Sequence, residues 1–221
     1  MKLFFSALLK YISGLVLVGM LLFLPAGTLH YPGGWRFIAL LFVPILLLGA
    51  VMLAKAPDLL RSRLDGKEKE ATQKGVVAVS GLLFLGGFIT AGLDFRFGWS
   101  HVPGWVTVVA AVLFLLAYGL YAEVMRENAY LSRTIGVQEG QRVVDTGLYG
   151  VVRHPMYAVT VVLFFAIPLL LESWWAVLWF APYPVVIALR IQNEEQVLER
   201  DLPGYAEYKQ KVKYRLIPWI W

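Results

Sequence analysis

Residues 35–54 read WRFIALLFVPILLLGAVMLA, a run of twenty residues in which Arg36 is the only charged side chain. A membrane-spanning α-helix needs about 20 predominantly apolar residues, because each residue advances about 1.5 Å through a hydrocarbon layer about 30 Å thick. An apolar run of this length therefore predicts a transmembrane helix. The rest of the chain repeats the pattern.

Six apolar runs divide the 221-residue chain, at residues 5–29, 35–54, 76–95, 105–125, 156–171 and 174–191. The first four are long enough to cross a bilayer. The last two are shorter and are joined only by Glu172 and Ser173, which predicts a tight helical hairpin that barely crosses. We predict an all-α fold, a polytopic transmembrane helical bundle of about six spans. It divides into a four-span membrane region, residues 1–125, and a region of loop, hairpin and tail, residues 126–221.

The composition excludes several kinds of site. Hydrophobic residues make up 59% of the chain, charged residues 16%, and there is no cysteine. Disulfides, thiolate nucleophiles and Cys-ligated metals are thereby excluded. The three histidines, His30, His101 and His154, are far apart in sequence, so we expect no metal site. We attribute the net charge of +5 to loops that face anionic lipid, and we expect no nucleic-acid partner.

The basic residues predict how the helices are oriented. All but two of the twenty Lys and Arg residues lie near the N-terminus, in segments 55–74 and 126–153, or from 190 onward. Only Arg36 and Arg96 fall on the other side of a six-span arrangement. Cytoplasmic loops of membrane proteins carry an excess of Lys and Arg. We therefore predict a multi-pass integral membrane protein with both termini and both long loops in the cytoplasm.

Helix-packing residues are also visible in the apolar runs. Gly81, Gly86 and Gly87 predict close helix contacts in the third run. The fifth run contains Pro168, and the sixth contains Pro182 and Pro184. These prolines indicate either kinks that help packing or the wall of a cavity.

The first candidate site segment lies between the fourth and fifth runs. Residues 126–157 read RENAYLSRTIGVQEGQRVVDTGLYGVVRHPMY. The pattern at 137–144 resembles a short extended excursion around a turn, and Tyr149 is flanked by two glycines. Pro155 is well placed as the first residue of a helix. Arg153 and His154 would then lie at the positive end of that helix, where an anionic or polar ligand could bind. Alternatively, they are interfacial anchors.

The second candidate segment is the end of the sixth run. Arg190 and Glu194 are four residues apart, so they share one face of a helix. They form either part of a site or an ordinary salt bridge. Beyond them, the basic residues at 209–215 are placed to contact lipid phosphates. Residues 216–221 have the composition of an aromatic interfacial anchor.

Together these two segments resemble the isoprenylcysteine carboxyl methyltransferase family of integral-membrane enzymes and, more loosely, the phospholipid N-methyltransferases. The resemblance covers residues 126–221. The motifs that carry it are Gly147-Leu148-Tyr149, Arg153-His154-Pro155-Met156-Tyr157, the short hairpin, Arg190-x-x-x-Glu194-Glu195, Gly204-Tyr205-x-x-Tyr208 and Ile217-Pro218.

The resemblance implies a cytoplasmic cofactor-binding region that holds S-adenosyl-L-methionine as the methyl donor. Arg190 would be the catalytic residue, facing the carboxylate of an isoprenylcysteine-like or other lipophilic acceptor, with membrane lipids as surroundings. Glu194 would hold the charged amino-acid end of the cofactor. The other residues implied to line the cofactor pocket are Gln138, Gln141, Arg142, Val143, Val144, Tyr149, His154, Pro155, Met156 and Tyr157.

Alternatives remain at the level of sequence. If the acceptor were a protonated amine, Glu194 or Glu195 would be the candidate base. An NADPH-dependent membrane lipid reductase would need more basic residues for the nucleotide phosphates, whereas paired carboxylates suit a cationic donor. A non-enzymatic transport or scaffold protein is the third reading. The lack of charged residues in mid-span weakens the transport alternative.

Overall fold

The structure is a computed structural model that describes residues 2–64, 71–132 and 134–221. Three basic residues used to predict the orientation, Lys67, Lys69 and Arg133, lie outside these ranges. A 3₁₀ turn, Gly147–Gly150, precedes the sixth α-helix. The α-helices are α1 Lys2–Ala26, α2 Pro32–Lys55, α3 Pro57–Leu64, α4 Ala71–Phe97, α5 Gly104–Glu127, α6 Pro155–Leu170, α7 Trp174–Phe180, α8 Tyr183–Asp201 and α9 Tyr205–Lys211.

The described part of the chain contains no β-strand, which confirms the all-α prediction. The segment predicted to be extended, residues 137–144, is a loop. It contains a turn in which the Gln141 N–H donates to the Gln138 carbonyl (3.0 Å). Gly140 adopts φ +71° in this turn, a conformation that other residues rarely adopt.

Five helical segments are long and apolar enough to cross a membrane. They are α1, α2, Gln73–Phe97 of α4, α5, and α7 together with α8 as Trp174–Asp201. The remaining apolar helix, α6, has 16 residues, so it is about 24 Å long against a hydrocarbon thickness of about 30 Å. Apolar side chains such as Leu24 and Leu116 point outward from the bundle. These features indicate a polytopic integral membrane protein in which five helical segments are candidate spans and α6 is a shorter apolar helix.

Polar contacts hold the turn between α6 and α7 against two other connections. The Tyr31 hydroxyl donates to the Leu171 carbonyl (2.5 Å), and Arg36 pairs with Glu172 (2.8 Å). The Ser173 hydroxyl donates to Asp94 near the end of α4 (2.5 Å). The α1–α2, α4–α5 and α6–α7 connections therefore share one end of the bundle. The described parts of the two long loops and the tail lie at the other, which we call the cleft end.

Glycines in α4 allow close packing of aromatic side chains from α7. An added Cβ at Gly86 would collide with the Trp179 ring, and one at Gly87 would lie 2.5 Å from Phe180. The prediction of close contacts is thus confirmed for these two residues. It is wrong for Gly81, where an added Cβ would meet nothing within 4 Å.

The prolines serve packing and helix termination. Pro168 lies inside α6 and is fully buried in the core. Pro182 lies at the break between α7 and α8, and Pro184 lies in the first turn of α8, where a missing N–H is tolerated. None of the three lines the cleft described below.

Candidate functional site

A cleft opens at the cleft end, between the loop after α5, the start of α6, the end of α8, and α9. It encloses about 830 Å³ of empty space, part of it open to solvent. Its described lining residues all belong to the C-terminal region: Asn128, Tyr130, Leu131, Ser132, Thr134, Ile135, Gly136, Gln141, Arg142, Val143, Val144, Tyr149, Arg153, His154, Met156, Tyr157, Arg190, Glu194, Leu198, Leu202, Tyr205 and Tyr208.

Tyr149 is fixed in the cleft wall by a local network. Asn128 donates to its hydroxyl (3.0 Å), and the Tyr208 hydroxyl donates to its carbonyl (2.8 Å). Gly147 before it adopts φ +52°, and a Cβ there would collide with the Glu127 carboxylate, which caps Leu148 N–H at 3.0 Å. Gly147 thus admits a neighbouring carboxylate. Burial raises the pKa of the Tyr149 and Tyr208 hydroxyls, so both stay protonated near neutral pH.

Tyr157 joins α6 to α8 in the wall of the cleft. Its hydroxyl donates to the Glu194 carboxylate (2.5 Å) and accepts from Arg190 Nε (2.8 Å). The Arg190 guanidinium also lies 5.8 Å from the centre of the Tyr157 ring. The i, i+4 spacing places Arg190 and Glu194 on one face of α8, and Tyr157 connects them.

Arg190 also reaches the N-terminal part of the chain. Its Nη1 donates to the side-chain carbonyl of Gln73 in α4 (2.9 Å), and Gln73 Nε2 donates to Asn193 (2.7 Å). Gln73 is fully buried. Sequence reasoning missed Gln73, because no local spacing relates it to α8.

Next to this cluster, a second opening faces sideways between α4 and α8. It is a mostly apolar groove lined by Gly75, Val76, Val79, Val186, Leu189, Gln192, Asn193 and Gln196. Asn193 lines the groove, Arg190 lines the cleft, and Gln73 bonds to both. The two openings are thus separated by a thin layer of polar side chains.

Glu195 has a different environment from its neighbour Glu194. Its side chain is 3% exposed and accepts from Arg153 Nε (2.7 Å) and Arg215 Nε (3.0 Å), with His154 Nε2 at 3.2 Å. Arg153 also donates to the carbonyls of Val212 and Lys213 (2.7 Å each). Glu195 therefore ties α8 to the start of α6 and to the tail, and it does not line the cleft.

Most of the residues that the sequence singled out lie together. Those that line the cleft are Gln141, Arg142, Val143, Val144, Tyr149, His154, Met156, Tyr157, Arg190 and Glu194.

Gln138 and Pro155 do not line the cleft. The Gln138 side chain donates to the Tyr130 carbonyl (2.5 Å) and its N–H donates to the Gln141 side chain (2.8 Å), so it braces the loop. Pro155 is buried as the first residue of α6. Both are next in sequence or by hydrogen bond to lining residues, Pro155 between His154 and Met156 and Gln138 through Gln141.

Tyr205 is a lining residue that the sequence placed only in a motif. Its hydroxyl is buried and, among the described residues, has no hydrogen-bond partner. Burial raises the pKa of this hydroxyl, so it remains a neutral donor. A buried donor without a partner costs free energy. Together with the carboxylate of Glu194 and the aromatic rings of the cleft, it suits a polar, cationic, partly aromatic ligand.

Comparison with known protein families links the C-terminal half of the chain to a family of membrane enzymes. Residues 105–203 match the family model described as PEMT, phospholipid methyltransferase. The match supports a membrane methyltransferase. It runs from the start of α5 past the end of α8, and so includes Tyr157, Arg190 and Glu194. None of the curated proteins searched matches the chain.

Proposed function

We propose that this protein is an S-adenosylmethionine-dependent methyltransferase embedded in the membrane, acting on a lipophilic acceptor. The observation that carries the proposal is the Tyr157–Glu194–Arg190 cluster, which lies between a polar cleft and a lateral apolar groove. Such a position suits a reaction between a water-soluble donor and an acceptor that stays in lipid. We assign the activity to residues 126–221, with 1–125 as the membrane region, although Gln73 reaches the cluster from α4.

The side chains of the cleft fit the methyl donor chemically. Glu194 would pair with the donor's ammonium group, and Tyr149, His154 and Tyr157 offer ring faces for adenine. The Tyr205 hydroxyl would donate to a polar edge. When bound, S-adenosylmethionine supplies a methyl group activated by an adjacent positive sulfur. The protein's part is to orient both reactants and to keep water away from them.

Arg190 would orient the acceptor. An arginine holds a carboxylate through directed N–H donors, and a carboxylate is already ionised near neutral pH, so no strong base is needed. The apolar groove between α4 and α8 suits the acceptor's hydrocarbon part. The resemblance of the motifs suggests the carboxylate of an isoprenylcysteine-like compound as the acceptor group.

A phospholipid amine is the second candidate acceptor, and the match of residues 105–203 to the phospholipid methyltransferase family favours it. An ammonium must lose a proton before it can attack a methyl group. Glu194 lines the cleft and would be the base. Glu195 is excluded from this role because Arg153 and Arg215 already engage it and it is buried away from the cleft.

The cleft disfavours the reductase alternative. Three arginines are among its described lining residues, Arg142, Arg153 and Arg190. Arg153 is committed to Glu195 and to the tail carbonyls, and Arg190 bonds to Tyr157 and Gln73. The carboxylate of Glu194 beside them would repel the phosphates of NADPH. The distribution of basic residues suggests that the cleft end faces the cytoplasm.

The test is transfer of a labelled methyl group by the full chain in lipid nanodiscs. Labelled S-adenosylmethionine is offered with prenylated cysteine in one arm and phosphatidylethanolamine in another. Product in either arm supports the reaction class and identifies the acceptor group. Tyr31→Phe, which removes a hydroxyl at the opposite end of the bundle, serves as the active control. If the folded chain bound no donor and methylated neither acceptor, we would abandon the proposal.

A further inference from the structure

The last residues of the chain form a compact hook, residues 214–221, held beside the start of α6. The N–H groups of Arg153 and His154 donate to the carbonyls of Tyr214 and Arg215 (2.9 Å each). The N–H groups of Arg215, Leu216 and Ile217 all lie within 3.2 Å of the Trp221 carbonyl. The hook is therefore fixed to the backbone just before the apolar helix α6 begins.

One side of the hook packs on the protein and the other does not. Leu216 and Trp221 pack against the cluster of Tyr157, Tyr183, Ile187 and Ile191. In contrast, Ile217 is 51% exposed, Trp219 86% and Ile220 77%. Trp219 also adopts φ +65°, a conformation that is unfavourable for a side chain of its size. The turn that contains Trp219 is thus conformationally unfavourable, and it presents large apolar side chains outward.

The distribution of tryptophan indicates what the exposed side of the hook contacts. Tryptophan concentrates at both membrane–water boundaries. Of the eight tryptophans, five lie at or near the opposite end of the bundle, namely Trp35, Trp99, Trp105, Trp174 and Trp175, and Trp179 packs against Gly86 in the middle of α4. The other two, Trp219 and Trp221, are both in the hook. The hook therefore supplies all the tryptophan at the cleft-end boundary.

The charges beside the hook fit an anionic lipid surface. Lys213 is exposed immediately before it, and Arg215 lies 5.1 Å from the Trp221 ring while it pairs with Glu195. Aromatic residues flanked by basic ones are typical of segments that lie in the lipid headgroup region.

We propose that the hook is a membrane-interface anchor that inserts Ile217, Trp219 and Ile220 into the bilayer at the cleft end. Through Val212 and Lys213, which accept from Arg153, the same tail is joined to the wall of the cleft. Insertion therefore holds the tail in place over the cleft. This inference does not depend on the chemistry that the cleft performs.

The natural sequence contains no cysteine, so a single nitroxide label can be placed without background. Ile220→Cys is labelled in the full chain, reconstituted in vesicles that contain zwitterionic and anionic phospholipids. Power-saturation electron paramagnetic resonance then compares collisions with oxygen, which concentrates in hydrocarbon, and with a water-soluble nickel chelate. Glu207→Cys, exposed on α9, is the aqueous reference, and Leu116→Cys on α5 is the lipid reference.

We expect the ratio of oxygen to nickel collisions at Ile220 to exceed that at Glu207 severalfold and to approach that at Leu116. Ile217→Cys should give the same result and replaces Ile220→Cys if that variant does not fold. A label at both positions as accessible to nickel as Glu207 would overturn the proposal. Low accessibility to both reagents would also overturn it, since it would indicate that protein rather than lipid covers the hook.

Discussion

Replacing Glu195 with glutamine should destabilise the protein strongly, although the change only replaces one carboxylate oxygen by an NH₂ group. The Glu195 side chain is 3% exposed and is the acidic partner of Arg153, whose side chain is 4% exposed. The variant would leave the Arg153 guanidinium buried with no opposite charge beside it. The loss of one partner from a buried ion pair costs about 3–5 kcal/mol.

The lower part of that range applies here. Arg153 keeps its hydrogen bonds to the carbonyls of Val212 and Lys213, which compensate part of its charge. A loss of about 3 kcal/mol corresponds to a fall in melting temperature of roughly 6–12 °C for a chain of this size. Because the same contacts hold the tail, hydrogen–deuterium exchange at residues 153–154 should also rise.

Glu194→Gln is the matched control, since it makes the same chemical change at the next residue. Glu194 is only partly buried, and its amide could still accept from the Tyr157 hydroxyl, so the stability cost should stay below about 1 kcal/mol. Both variants are compared by thermal unfolding in the same detergent. Equal melting temperatures for the two variants would refute the assignment of a structural role to Glu195 alone.

Two further predictions use matched pairs. Gly92→Ala should lower the free energy of unfolding by about 1–3 kcal/mol, because its Cβ would lie 2.6 Å from the Leu22 carbonyl oxygen. Gly81→Ala in the same helix should be neutral or slightly stabilising. If thermal unfolding ranked the two variants in the reverse order, it would contradict the packing of α4 on α1. Tyr157→Phe should reduce the rate of methyl transfer about tenfold or more, since it removes a hydroxyl bonded to two charged groups. Tyr31→Phe should cost about 1 kcal/mol of stability and leave the rate unchanged. Equal rates in the two variants would contradict a role for the Tyr157 hydroxyl.

The helical architecture could be predicted because long apolar runs in the sequence mark the membrane-spanning helices. Five of the six runs each fall largely within one helix, the sixth is divided between α7 and α8, and Pro155 begins α6 as expected. The shortness of α6 was also visible. Pro182 indicated the break between α7 and α8. Residues Trp174–Asp201 are nevertheless long and apolar enough together to form one span.

The site could be predicted only where its residues are close in sequence or share a motif. Arg190 and Glu194 share a helix face by their spacing, and Tyr157 stands in a motif with His154. The contacts Gln73–Arg190 and Arg153–Glu195 join residues far apart in the chain, and no local pattern encodes them. For the same reason, the sequence could not show that Glu194 faces the cleft while Glu195 is buried.

For another reason, the lining residues at the cleft edge, in 128–132 and 134–136, were not singled out within their segment. The segment is an irregular loop, and its backbone is held by side chains such as Asn128 and Gln138. Such a segment has no hydrophobic period that would mark its lining residues.

Titration calorimetry of S-adenosylmethionine and its demethylated product tests the central claim most directly. We expect the parent protein to bind both ligands, and Glu194→Gln to bind them at least about tenfold more weakly, as the loss of a charged hydrogen bond predicts. No binding to the folded parent, or equal affinity in the parent and in Glu194→Gln, would contradict the account.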